Sequence, residues 1–185
     1  MTLFEADTRL GGHADTHALP AAEGVAGDEG LAIDTGFIVH NERTYPVLLR
    51  LFAELGVETQ ESEMSMSVWD IGSGLEYAGA LGPRGLFPSR RNLARPAYLR
   101  MLVEIPRFHR RARALLATPD DGNPDETLRD FLARGRFTAY FQRHFMEHLV
   151  AAVWSTDPDL ALDYPARYLF SFLQHHGMLG VYGSP

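Results

Sequence analysis

The chain contains neither cysteine nor lysine. The first absence removes disulfides and thiolate metal centres, and the second removes Schiff-base chemistry through a lysine amine. All 17 basic residues are therefore arginines, set against 24 acidic ones for a formal charge of -7. Such a balance argues against nucleic acid as a partner, because neutralising phosphates needs a basic patch. Long apolar runs are missing as well. The longest, Leu149 to Trp154, falls far short of the ~20 residues of a membrane span, and no basic segment followed by an apolar one marks a secretory signal near Met1. The expectation is a cytoplasmic protein without a membrane span. What is abundant is apolar side chain, 45% of 185 residues, enough for an ordinary core.

The most informative segment runs from Thr2 to Thr16. In a dinucleotide-binding unit, a strand leads into a Gly-rich turn that seats the pyrophosphate, and an acid about 20 residues later takes the ribose hydroxyls. Here Met1 to Phe4 reads as the end of an apolar strand, Glu5 as the acid at its edge, and Gly11-Gly12 as a turn that admits close backbone approach. The earlier half of such a unit does not precede Glu5 in this sequence.

The run Glu5-Ala6-Asp7-Thr8-Arg9-Leu10-Gly11-Gly12 resembles the Glu-Ala-x-x-Arg-x-Gly-Gly signature of the FAD-dependent amine-oxidase and phytoene-desaturase-like flavoproteins. His13 stands where those proteins usually have arginine. With Asp34-Thr-Gly-Phe-Ile-Val-His-Asn41 and Thr44-Tyr-Pro46 it looks most like a bacterial branch of predicted NAD/FAD-binding proteins, and the likeness continues thinly through Gly74-Leu-Glu-Tyr77 and Val153-Trp-Ser-Thr156. The resemblance implies an FAD-dependent oxidoreductase that moves hydride from a C–N or C–C bond of a small-molecule substrate to flavin N5. It implies that Glu5 accepts from the ribose, that Gly11 and Gly12 admit the cofactor, that Arg9 and His13 face its phosphates, and that Thr35-Gly36 after Asp34 passes the isoalloxazine. The catalytic residues, the substrate and the oligomeric state stay unassigned. The lysine that holds a water near the flavin in many amine oxidases is not in this sequence, and without cysteine the FAD is expected to be non-covalent, a histidine link being the alternative. The family's Gly-x-Gly-x-x-Gly unit and its C-terminal FAD segment are both expected to lie outside this chain, so a catalytically inactive fragment or a structural or binding module is the competing reading.

The implied fold class is α/β plus α+β: a partial Rossmann-like FAD-binding domain over 1–56, then an incomplete, mainly helical substrate domain over 57–185 with a short antiparallel sheet. Residue chemistry gives the elements. Ala18 to Gly30 reads as loop, with Leu31 to Asp34 and Gly36 to Val39 as short extended pieces. Pro46 suits a first helical turn, and Leu48, Leu49, Leu51, Phe52 and Leu55 give a core-facing stripe that stops at Gly56. Alternation through Met64, Met66 and Val68, with a turn over 71–74, predicts a hairpin. Helices follow near Leu93 to Leu116, broken or kinked at Pro96 and Pro106, Asp125 to Ala133 with Asp125 as cap, Thr138 to Trp154, and Ala166 to His176. Arg107, Arg110, Arg111 and Arg113 read as a solvated face, and His175-His176 as a helix end.

One rival motif remains. His144-Phe-Met-Glu-His148 matches the inverted zinc-protease pattern, which would need a third ligand such as Asp157, Asp159 or Asp163. The same spacing serves an amphipathic packing helix with Phe141, Phe145 and Leu149 on its apolar side, and this is the favoured reading; no metal is expected.

Overall fold

Proline and glycine set the first helix. In the computed structural model, which describes residues 2, 4–21, 30–36, 38–62, 65–119, 126–154, 160 and 162–179, α1 spans Pro46–Leu55 with Pro46 in its first turn. Gly56 ends it at φ 66°, in the left-handed region that favours glycine. Before it, β1 (Thr16–Leu19) and β2 (Leu31–Asp34) pair antiparallel, with Thr16 opposite Asp34 and Leu19 opposite Leu31. β1 falls partly where a loop was expected. Phe4 is 90% exposed and outside any strand, while Met1 and Leu3 lie outside the described residues. Among the described residues the only strand pairings are antiparallel, so the Rossmann-like arrangement expected for 1–56 is not seen there. No described residue from 2 to 62 is buried. The α1 stripe forms as a helix face, yet Leu51 and Leu55 remain exposed rather than serving as core.

The chain divides into two compact units, residues 1–62 and 63–185. In the second, β3 (Ser67–Asp70) and β4 (Leu75–Ala78) form the predicted hairpin, with Val68 opposite Tyr77. The pleat turns Val68 and Tyr77 inward and leaves Trp69 and Glu76 outward; Met64 lies outside the described residues. A short 3₁₀ turn (Gly79–Leu81) leads into α2 (Gly82–Leu86) and α3 (Arg90–Leu93). The long α4 (Pro96–Ala117) then begins at Pro96 and continues through Pro106. A proline there removes one backbone donor, but Met101, Phe108 and Ala112 are fully buried on both sides of it and hold the two halves in one helix.

Next come α5 (Leu128–Arg134), α6 (Ala139–Phe141), a π turn (Gln142–Met146), α7 (Glu147–Trp154) and α8 (Ala166–His175). Thr127 caps α5: its hydroxyl accepts from Asp130 N–H, and the Asp130 carboxylate receives Thr127 N–H in return. Asp125, the expected cap, lies outside the described residues. The core of this unit is aromatic. Phe108 is fully buried and packs edge-on or tilted against Phe131, Phe137, Phe141, Phe145 and Phe170 at centroid distances of 5.4–6.5 Å. Arg107 departs from the solvated-face expectation, because its guanidinium lies 4.3 Å from the Phe137 ring centroid and donates to Glu104 and to the Arg136 carbonyl. Arg110, Arg111 and Arg113 are exposed as expected.

Candidate functional site

Short polar side chains fold the segment around the glycine pair onto its own backbone. Glu5 Oε1 accepts from Ala6 and Asp7 N–H at 2.8 and 2.9 Å, and Asp7 Oδ1 accepts from Thr8 N–H at 2.7 Å. Gly11 and Gly12 then take φ of 119° and 58°, conformations that other residues adopt at a cost. Ala14 N–H donates to the Gly11 carbonyl at 3.0 Å and closes the turn; a Cβ on Gly11 would overlap the Ala14 carbonyl oxygen. Arg9 clamps the loop from its side. Its Nη2 donates to the Gly12 carbonyl at 2.9 Å, its Nη1 to the Ala14 carbonyl at 3.1 Å, and its Nε lies 3.4 Å from Asp15. The guanidinium is thereby engaged with the turn.

The second motif returns to the first. Thr35 donates to the Asp15 carbonyl through both its N–H, at 2.8 Å, and its hydroxyl, at 3.1 Å, while the Thr16 hydroxyl reaches Asp34 at 2.6 Å. Gly36 lies so close to His13 that a Cβ would overlap the His13 carbonyl oxygen. The Gly-Gly turn and the Asp-Thr-Gly segment, about 20 residues apart in sequence, are thus juxtaposed by β1 and β2. His13 is exposed, and the His40 ring packs at 5.3 Å on Phe52 of α1. The bare backbone at Gly12, where a Cβ would meet nothing within 4 Å, is the open side of the turn.

In the helical unit, a polar cluster that sequence reasoning did not find lies under the β3–β4 turn. Asp70 accepts from Gly72 and Ser73 N–H and from the Ser73 hydroxyl. Those bonds, the Ser73 hydroxyl first, hold its carboxyl below the usual range. His144 Nδ1 comes within 3.4 Å of Asp70 Oδ2 but is too poorly directed to count as hydrogen-bonded. Burial lowers the His144 pKa, outweighing the opposing pull of Asp70. Tyr77 donates to the His144 carbonyl at 2.7 Å, and burial pushes its phenol above the ordinary value. Tyr98 donates to the Leu86 carbonyl, and burial pushes it up to about 12. The only cue for this cluster was the His144 motif, whose helical spacing gave no hint of the π turn.

The two histidines of the zinc motif have different surroundings. His144 faces Asp70 and packs at a tilt on Tyr140, ring centroids 4.2 Å apart, while His148 lines a shallow hollow with Met66, Ser67, Val68, Trp69 and Ala152. Asp163 pairs with Arg129 at 2.9 Å, and Asp157 and Asp159 lie outside the described residues. Among the described residues no group of three His, Asp or Glu is placed to hold a metal ion. At the other end of the unit, His175 closes α8 and the His176 ring stacks at 4.2 Å on Phe172.

The chain matches the family model of flavin containing amine oxidoreductases over residues 1–181, and it belongs to that family. The kinship read from Glu5 to Gly12 is therefore correct at the level of the family, and with it a flavin cofactor and oxidoreductase chemistry. A comparison with curated proteins finds no match. No helix among the described residues is long and apolar enough to cross a membrane.

Proposed function

We propose that residues 1–56 contribute to a non-covalent FAD site, that residues 57–185 contribute to substrate binding, and that the chain serves a cytoplasmic oxidoreductase. When bound, the flavin supplies the acceptor for hydride from a C–N or C–C bond; the protein contributes orientation and exclusion of water. The observation that carries this reading is the meeting of the two glycine segments, with Gly36 against the His13 carbonyl and Gly12 open on its outer side.

The donor set fits an adenosine-ribose and diphosphate contact only in part. Glu5 uses Oε1 on its own backbone, which orients the carboxylate and leaves Oε2 to accept from ribose hydroxyls. Gly11 and Gly12 bring main chain rather than side chain to the cofactor surface, as do Thr35 and Gly36. Arg9 acts by holding the turn, since its guanidinium already has the Gly12 and Ala14 carbonyls and Asp15 as partners. His13 is the exposed side chain beside the turn that can donate to a phosphate, more weakly than the arginine usual in the family because a neutral imidazole attracts an anion less.

The chain by itself is expected to bind FAD weakly and to be catalytically silent, because no described residue from 2 to 62 is buried and contacts in open solvent contribute only ~0.5–1.5 kcal/mol each against an association cost of at least ~4 kcal/mol. Titration of residues 1–185 with FAD, followed by flavin fluorescence, tests both statements. Glu5→Ala should weaken binding by about tenfold, the loss of roughly one charged hydrogen bond. Equal affinity of the variant removes Glu5 from the site. A desalted preparation that retains close to one flavin per chain overturns the expectation of weak binding.

A further inference from the structure

Charge is distributed unevenly along this acidic chain. Between Tyr77 and Val103 there is no aspartate or glutamate, whereas Arg84, Arg90, Arg91, Arg95 and Arg100 all fall there. The fold gathers part of that basic run beside the β3–β4 turn. Asn92 of α3 donates through Nδ2 to the Glu76 carbonyl of β4 at 2.8 Å, fixing α3 against the hairpin. Arg95 Nη2 donates to the Ser73 carbonyl at 2.8 Å. The guanidinium nitrogens of Arg91 and Arg95 lie 4.0 and 3.8 Å from where a side chain on Gly74 would begin. Arg90 and Arg91 are exposed.

The hairpin and α3 also expose large apolar side chains. Trp69 is 74% exposed, Ile71 in the turn 80%, and Leu93 on α3 57%. Glu76, across from Trp69 on the hairpin, is the one acid from 71 to 103; Asp70, at the base of the turn, accepts from Gly72 and Ser73 and lies beside His144. Exposed indole and aliphatic groups on the hairpin and exposed arginines on the adjoining α3, on a protein of net charge -7, match one environment in both respects. A headgroup layer takes the apolar groups at shallow depth and offers phosphates that guanidinium binds in a fork. A soluble anion would satisfy the arginines and leave Trp69 and Ile71 in water.

We propose that the edge formed by the β3–β4 turn and α3 docks on an anionic phospholipid surface, with Trp69 and Ile71 entering the headgroup layer and Arg90 and Arg91 facing lipid phosphates, while Arg95 holds the turn through the Ser73 carbonyl. The net negative charge of the chain opposes approach. The contact is governed by the local charges, the arginines against Glu76 and Asp70, because charges beyond about 8 Å are largely screened at physiological ionic strength. Docking here is peripheral and reversible, and it is independent of flavin.

The test is co-sedimentation of the full chain with vesicles of phosphatidylcholine alone or mixed with phosphatidylglycerol, at low and high salt. The expected result is binding to the mixed vesicles only, abolished at high salt, with Arg90→Gln/Arg91→Gln weakening it about 25-fold, about fivefold for each arginine lost near an anionic surface. Trp69→Ser/Ile71→Ser should also reduce binding, and brominated lipid should quench Trp69 while sparing Trp154, which stacks at 4.9 Å on Tyr164. Far-UV circular dichroism checks that the variants keep their helix content. No vesicle binding overturns the proposal, as does equal binding to both vesicle types or unchanged affinity in the arginine variant. Self-association that Trp69→Ser/Ile71→Ser abolishes, without vesicle binding, assigns the face to a second copy of the chain instead.

Discussion

Residues 1–62 and 63–185 differ in what holds them. The first unit carries the family signature, and its order comes from polar contacts: Arg9 on the carbonyls of its own turn, Thr35 on the Asp15 carbonyl, Thr16 on Asp34. None of its described residues is buried. The second unit carries little recognisable motif and a dense core, with Tyr98, Met101, Phe108, Phe141 and Phe170 all at zero exposure. Signature and stability therefore reside in different parts of the chain. A motif that meets a cofactor needs backbone geometry and open surface, which glycine and short polar side chains supply. Packing needs volume and periodicity, which many sequences supply interchangeably.

The largest effect should come from the centre of the second unit. Phe108→Ala removes a fully buried ring that touches five other phenylalanines, and it should cost about 3–5 kcal/mol of unfolding free energy. Urea unfolding monitored by near-UV circular dichroism would show it. A loss under about 1 kcal/mol would mean that this cluster is loosely packed and that the contrast between the units is smaller than drawn.

The parts of this contrast that were legible in sequence are those set by local chemistry. Pro46 and Gly56 bracket α1, and the turn over 71–74 separates β3 from β4, because each depends on a backbone preference of the residues themselves. β1 was hidden because Thr16 to Leu19 has no alternation and leads into Pro20; its pairing with β2 is what makes it a strand. The π turn was hidden for a different reason. Its residues carry ordinary helical periodicity, and the irregularity accompanies contacts distant in sequence, Tyr77 to the His144 carbonyl and Asp70 to the imidazole. Glu104 is similar. It is 4% exposed in the middle of a helix because Thr138 donates to both its oxygens from 34 positions away. In the candidate site, the glycines and Glu5 could be named from spacing, whereas the commitment of Arg9 to its own turn could not, since arginine at that position reads equally well as a clamp or as a phosphate ligand.

A smaller effect, dependent on pH, should also come from the second unit. His109 is buried with Nδ1 unpartnered, and burial together with Arg113 pushes its pKa down from 6.5 to about 4. The unfolded chain then binds more protons than the native one between those values, so stability rises with pH across the window. The contribution is present above about pH 6.5 and is lost as pH falls through about 4, amounting to on the order of 3 kcal/mol. His144, lowered mainly by burial, acts in the same direction. His109→Phe should flatten the dependence, visible as a smaller difference between melts at neutral and acid pH. An unchanged slope would assign the acid sensitivity elsewhere.

The smallest effect is expected in the first unit. Ile33 of β2 pairs with His17 and is 42% exposed, so Ile33→Ala should cost no more than about 0.5 kcal/mol. Leu132→Ala in the second unit, at zero exposure, should cost about 2–5 kcal/mol. The pair is informative because both changes shorten an aliphatic side chain to a methyl, leaving burial as the main variable. Amide hydrogen exchange adds an independent reading: Thr16–Leu19 and Leu31–Asp34 should exchange close to the intrinsic rate, since strands without buried neighbours open at little cost, while α4 should be protected. A cost of 2 kcal/mol or more for Ile33→Ala, or slow exchange in β1 and β2, would require that something cover the hairpin in solution, and the division between a signature-bearing open unit and a packed one would fail.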